Sequence, residues 1–205
     1  MILETEQTIG ALPILFRFAP AIEIPDGKLF ELCQLNRDYR IERTAKGALS
    51  IMTPTGGGTG WRNTELTAGL WAWAAKEGSG VVFDSSTGFT LSNGAMRSPD
   101  CSWVTRARLA GLAPDQKEKF LPLCPDFVIE LRSPTDSLEI LRKKMVEYLE
   151  NGTLLGWLFN PACRTIEIYR PGRDPEYLTD PEKLSGDPEL PDFSFDPKRI
   201  WNPDF

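Results

Sequence analysis

The sequence predicts a mixed β-sheet flanked by helices, an α/β (α+β) fold, in a single domain over residues 1–205. Three observations carry this prediction. Residues 127–159 read as strand, helix, strand: a β-rich apolar run at Phe127–Leu131, an apolar stripe at helical spacing, and a nearly continuous apolar run at Leu154–Phe159. Strand-like segments dominate the first half of the chain, and with that central unit they argue for one mixed sheet covered by helices. Finally, 205 residues with 41% hydrophobic and 25% charged side chains are most simply one domain with a sizeable core.

In chain order, residues 1–24 form a variable leader holding Pro13 and Pro20. Asp26 is placed to cap a helix on which Leu29, Leu32, Cys33 and Asn36 recur at helical spacing. Tyr39–Arg43 and Ala48–Met52 read as an N-terminal hairpin turned at Ala45-Lys46-Gly47. Thr53–Gly60 is a glycine-rich loop lacking the G-K-[ST] ending of a phosphate loop. Thr59 is placed to cap a helix over 61–77 with Leu66, Gly69, Leu70 and Trp73 inward and Gly78 and Gly80 at its end. Glu65 lies about 100° from Leu66, toward the edge of that face.

Val81–Asp84 and Phe89–Leu91 are strands, and Ser92-Asn93-Gly94 turns the chain. Asp100 stands at the mouth of a further strand, followed by a polar excursion over 106–120. Thr135-Asp136-Ser137 opens the helix that Asn151-Gly152 stops. On it Leu138, Leu141, Met145, Tyr148 and Leu149 form the apolar stripe. Lys143 falls opposite that stripe, between Glu139 and Glu147. Lys144 falls about 90° from its centre and can snorkel toward a sheet edge. Thr165–Tyr169 alternates as a strand with one wet face. The tail 174–205, rich in Pro and Asp, is expected to wrap the body.

Composition excludes several chemistries. There is no histidine, which removes Ser-His-Asp and Cys-His catalysis and histidine-ligated metals. The four cysteines are scattered without a C-x-x-C, so neither a disulfide framework nor a zinc site is expected. Hydrolytic chemistry would use carboxylates, Lys, Arg, Tyr and a hard cation on oxygen ligands. The net charge of −6 argues against a nucleic-acid coat protein but not against a nucleic-acid enzyme. No apolar run approaches the ~20 residues that span a membrane. The acidic start Met-Ile-Leu-Glu-Thr-Glu differs from the basic start of a signal peptide, so a soluble, cytoplasmic protein is expected.

The chemistry concentrates in Pro125-Asp126-Phe127-Val128-Ile129-Glu130-Leu131-Arg132-Ser133-Pro134. Glu130 and Arg132 are charges in a buried strand, two apart and so on one face, about 7 Å from each other. Such charges are costly unless paired or bound to something. A structural ion pair and a metal and phosphate site are equally open readings of this stretch. Pro-Asp occurs six times in the chain and identifies nothing alone. Asp126 shares a face with Glu130 but lies about 13 Å away along the strand, beyond sharing a cation with ligands at about 2.1 Å. Asp100 heads a different strand, and a neighbouring strand can bring it within reach.

Asp100, Glu130 and Arg132 spell P-D…E-x-(K/R), and with them the sequence resembles the Uma-two family, grouped with restriction endonucleases in the PD-(D/E)XK nuclease superfamily. The resemblance runs from about Asn36 to Trp201. It is carried jointly by Arg40-Ile41-Glu42-Arg43-Thr44, Pro54-Thr55-Gly56-Gly57, Asn63-Thr64-Glu65-Leu66, Val82 to Phe89, Arg97-Ser98-Pro99-Asp100, Pro125 to Pro134, Lys144-Met145 with Tyr148, and Gly156-Trp157-Leu158 through Arg170-Pro171.

The resemblance implies a restriction-endonuclease-like core and Mg²⁺-dependent hydrolysis of DNA phosphodiesters, with Mn²⁺ as a substitute. Asp100 and Glu130 would carry the metal, and Glu65 matches an acid that some superfamily members add to the shell. The superfamily's lysine position holds Arg132, which cannot act as a base but can clamp a phosphate. Lys144 is the natural substitute for that lysine. Glu42 and Asp84 are weaker candidates, Asp84 being equally explained by an Asx-turn. Cutting two strands suggests a homodimer. Two other readings stay open: a nuclease fold that binds without catalysis, and a metal hydrolase acting on another phosphate ester.

Overall fold

The structure is a computed structural model that describes residues 13–203, so the first half of the expected leader, 1–12, lies outside the described residues. In chain order the elements are β1 (Ile14–Phe16), α1 (Asp26–Leu35), β2 (Arg40–Arg43), β3 (Leu49–Met52), α2 (Gly57–Glu77), β4 (Gly80–Asp84), β5 (Phe89–Thr90), β6 (Met96–Arg97) and β7 (Cys101–Thr105). Then follow α3 (Arg106–Ala110), α4 (Pro114–Lys117), β8 (Phe127–Leu131), α5 (Leu138–Glu150), β9 (Leu155–Asn160), β10 (Thr165–Tyr169), β11 (Glu176–Thr179), β12 (Leu184–Ser185), β13 (Ser194–Phe195) and α6 (Lys198–Trp201).

Two larger sheets form, with the mixed α+β character expected. The six-stranded central sheet has the order β11-β10-β9-β8-β7-β4, and the five-stranded N-terminal sheet has the order β1-β3-β2-β6-β5. Within the central sheet β8 and β9 are parallel, joined by α5, while β7 pairs antiparallel to β8. The parallel pair is buried on both faces, which explains its near-continuous apolar sequence.

Period-two alternation along β8 divides the interior. Phe127, Ile129 and Leu131 join Leu66, Leu70 and Ala74 of α2 and the tail residues Phe193, Phe195 and Trp201. Val128 turns to the other face, where Leu141, Met145 and Tyr148 of α5 pack. Glu130 shares Val128's side by the same alternation, and therefore faces α5. That helix approaches closely because Gly156 has no side chain: a Cβ there would stand 2.4 Å from Met145 Cε.

Several local expectations change. Asp26 does not cap α1; Pro25 is the N-cap and Asp26 forms an ion pair with Arg43, 2.5 Å away. The partner is stronger than an exposed backbone N–H, because Arg43 is buried and needs a carboxylate. Helix α2 begins at Gly57, so Thr59 lies inside it, the turn being closed by the Gly60 N–H donating to Gly56 O at 3.0 Å. The tail does more than wrap. β11 extends the central sheet, and Leu184, Leu190, Phe193, Phe195, Ile200 and Trp201 are buried in the principal core. Among the described residues no helix is long and apolar enough to cross a membrane.

Candidate active site at the junction of the two sheets

The segment 96–101 crosses from the N-terminal sheet to the central one, leaving β6 and entering β7. Register then fixes which charges meet. Arg43 pairs with Met96 across β2 and β6, and one more step sets Glu42 opposite Arg97. Cys101 pairs with Ile129 across β7 and β8, and one more step sets Asp100 opposite Glu130. From above, α5 contributes Lys144 and Tyr148, four residues apart and thus on one face.

These side chains form one network. Lys144 Nζ lies 2.8 Å from Glu42 Oε1 and 2.8 Å from Glu130 Oε1. The Tyr148 hydroxyl donates to Glu130 Oε1 at 2.9 Å. Arg97 reaches Glu42 Oε2 at 3.2 Å and Glu147 Oε2 at 2.6 Å. The Ser98 N–H donates to Glu42 Oε1 at 3.0 Å. Asp100 Oδ2 accepts the Leu131 N–H at 2.9 Å, and Asp100 Oδ1 takes Arg40 Nη1 at 3.1 Å. Four carboxylates, those of Glu42, Asp100, Glu130 and Glu147, thus face three cations, Arg40, Arg97 and Lys144.

Electrostatics distributes that imbalance unevenly. Burial pushes the Glu130 carboxyl up, Lys144 pulls it down, and the neighbouring Asp100 and Glu42 push it up again, to about 7. Glu42 is equally desolvated, but Lys144, Arg97 and Arg40 outweigh its burial and hold it at about 2. Burial would lower the Lys144 ammonium, yet Glu130 and Glu42 outweigh it and the result is a rise. Lys144 is therefore a charged donor at neutral pH. Burial first, then Glu130 and Glu42, raise the Tyr148 phenol well above its ordinary value.

The structure treats the remaining sequence candidates differently. Arg132 sits one residue past β8, where its guanidinium donates to Asp136 O and Asn160 Oδ1, both at 3.2 Å. These bonds fasten the turn into α5, and the continued ladder keeps Arg132 on Glu130's face of the sheet. Glu65 pairs with Arg199 of α6 at 2.6 Å. Its neighbour Leu66 packs on the core face opposite to α5. Asp84 accepts from Ser86 N at 3.0 Å, the Asx-turn role. Lys143 pairs with Glu139 at 2.6 Å in solvent, whereas Glu147 turns to Arg97.

From sequence, Arg40, Arg97 and Tyr148 enter only through the segments that carry the resemblance, Tyr148 also through the apolar stripe, and Glu147 only as a flank of Lys143; none has a site role there. Arg40 alternates with Glu42 on β2, but the other face carries Ile41 and the buried Arg43, so the pattern does not single it out. The register that brings Arg97 to Glu42 is a property of the sheet and has no local mark. Among the described residues no three His, Cys, Asp or Glu side chains converge as a ready-made metal cage. The acids on hand are the pair Asp100 and Glu130, with Glu42 beyond Lys144.

The charged junction is set on a βαβ unit with an antiparallel β7, and the fold is shared with a solved structure. A crystal structure of a "putative nuclease belonging to DUF820" from Anabaena variabilis ATCC 29413 superposes with a TM-score of 0.67 at 20% identity, covering 78% of this chain and 89% of that one. No curated protein matches the chain. The model of the Uma2 family, described as "Putative restriction endonuclease", matches residues 26–198, and the chain belongs to that family.

Proposed function

We propose that the protein is a Mg²⁺-dependent endonuclease hydrolysing DNA phosphodiester bonds, with Asp100, Glu130 and Lys144 as its working residues. The observation that carries this reading is Asp100, held by the Leu131 N–H at 2.9 Å beside Glu130, with Lys144 Nζ 2.8 Å from the Glu130 carboxylate. Family membership and the nuclease-type fold support it.

The donor set fits a hard cation. Magnesium is commonly held by one or two carboxylates, with water and substrate phosphate completing its shell. Asp100 and Glu130 supply two, and the excess of acids around Glu130 creates the electrostatic demand for a further cation. Such a cation, Mg²⁺ or Mn²⁺, would polarise the phosphate and lower the pKa of a water. Lys144, kept protonated by Glu42 and Glu130, orients the Glu130 carboxylate and presents charge to the developing phosphorane oxygens. A general-base role does not suit it. Tyr148 fixes Glu130 from the same helix face. Glu65 and Arg132, engaged elsewhere, stand outside this shell.

One observation favours a second reading, a nuclease fold that binds nucleic acid without cutting. Lys144 and Arg40 already neutralise Glu130 and Asp100 internally. Incubation of supercoiled plasmid with clean protein and Mg²⁺ or Mn²⁺ decides between them. Nicking by wild type and its loss in Asp100→Ala support the nuclease. No nicking by folded wild type under either metal overturns it. Linear product at high protein concentration would report the expected homodimer.

A further inference from the structure

Arg40 differs from the other two cations of the junction. Lys144 and Arg97 are each shared by two carboxylates, and their side chains are only 9% and 13% exposed. Among the described residues Arg40 bonds a single carboxylate, Asp100 Oδ1, and its side chain is 31% exposed. Its other contact is Nη2 to Met52 Sδ at 3.4 Å, a weak acceptor. These contacts engage two of the five guanidinium donors. Arg40 is thus the network's solvent-side cation, with donors to spare.

Its single carboxylate is the one a metal needs. Asp100 Oδ2 is fixed by the Leu131 N–H, which leaves Oδ1 as the oxygen able to exchange partners. Arg40 and a divalent cation would compete for that atom. The charges of the network carry the argument one step further. With all groups ionised the acids exceed the cations by one. A divalent cation converts that excess into one positive charge, and a single phosphodiester cancels it. The guanidinium released from Asp100 is the group at the mouth with the fork geometry to receive that phosphate.

Resting on the metal-dependent reading above, we propose that Arg40 is an exchange residue. It covers Asp100 in the metal-free protein and moves to the substrate phosphate when a divalent cation takes Asp100 Oδ1. The phosphate-clamping role then belongs to the hairpin strand β2, because Arg132 is committed to Asp136 and Asn160.

The test compares wild type, Arg40→Ala and Arg40→Gln. Calorimetry reads Mg²⁺ affinity without DNA, and fluorescence anisotropy reads a short phosphorothioate duplex in Ca²⁺ across a salt series. Removing the competitor should tighten Mg²⁺ binding severalfold in both variants. Losing one charge-assisted contact should weaken duplex binding by about 10- to 100-fold, and the slope of log Kd against log salt should fall by about one. A merely structural Arg40 would weaken both ligands together, with the salt slope unchanged. That result in a variant with native circular dichroism overturns the proposal. So does wild-type Mg²⁺ affinity in both variants. If wild type binds no divalent cation at all, the metal-dependent reading itself fails, and Arg40 with it.

Discussion

The two ends of β8 each bury a carboxylate, and they solve the problem in opposite ways. Asp126, just before the strand, is 5% exposed; Glu130, four residues on, is 1% exposed. Asp126 Oδ2 accepts the Thr105 N–H at 2.8 Å and Oδ1 takes Arg108 at 2.7 Å. One acid meets one cation and one N–H, from the last residue of β7 and from α3 just after it, and the charge is balanced locally. Among the described residues Glu130 has one ion-pair partner, Lys144, which it shares with Glu42, and it stands beside a further acid, Asp100. Burial of a carboxylate therefore does not mark a site by itself. The mark is a carboxylate whose surroundings leave it short of positive charge.

The largest effects should separate these ends by kind. Glu130→Gln keeps the shape and the Tyr148 contact but removes the charge, and cleavage should fall by at least about 100-fold, the scale of deleting a transition-state charge stabiliser. Asp126→Asn should leave cleavage per folded molecule unchanged. Comparable losses in both variants, after correction for folded fraction by circular dichroism, would break the distinction. Stability should show the reverse order. Asp126→Ala strips the Thr105 N–H and Arg108 of their acceptor and should cost about 2–3 kcal/mol in urea melts. Glu130→Gln relieves repulsion from Asp100 and Glu42 and should cost less than Asp126→Ala.

The pH dependence of the metal-free protein sharpens the comparison. The Glu130 carboxyl, raised from 4.5 to about 7, keeps its proton in the folded chain after the unfolded chain has lost it. The folded state then binds more protons, so stability falls as pH rises from 4.5 to about 7, by about 3 kcal/mol at most. Glu42, lowered from 4.5 to about 2, acts oppositely: its contribution is present above 4.5 and lost as pH falls toward 2. Urea melts in EDTA at pH 5 and pH 7.5 should show wild type weakening at the higher value and Glu130→Gln weakening less. A wild-type profile identical to that of Glu130→Gln would refute the frustrated carboxyl.

Much of this was legible in the chain because it is written in short-range patterns. The run Phe127–Leu131, the stripe of α5 and the Asp84 turn each depend on period or on side chains two to four residues apart. Asp100 could be preferred over Asp126 because strand rise alone separates Asp126 from Glu130. What was not legible is the meeting of the two sheets. Arg40 and Arg97 reach the acids through register and through the 96–101 crossover, and neither leaves a local trace. Arg132 follows the alternation: its N–H donates to Phe159 O at 2.8 Å, which carries the β8–β9 ladder one step past Leu131 and keeps the side chain on Glu130's face. What has no local mark is its partners, Asn160 of β9 and the Asp136 carbonyl, which take up the guanidinium.

The smallest effect tests the same contrast between adjacent lysines. Lys143 and Lys144 are neighbours on α5, yet one pairs in solvent and the other lies under the hairpin. Lys143 and Glu139 are 73% and 77% exposed, so their attraction is screened and offset by the cost of fixing two long side chains. Lys143→Ala should move neither the urea midpoint nor the cleavage rate measurably. Lys144→Ala leaves Glu42 and Glu130 buried without their shared cation, and it should lower the midpoint and abolish most cleavage. An additional measurement separates charge from structure: melts of Lys144→Ala at pH 5 should recover part of the lost stability, because protonating Glu130 removes the uncompensated charge that the substitution exposes. Equal midpoints at pH 5 and pH 7.5 would mean that Lys144 acts through packing of its stem rather than through its ammonium.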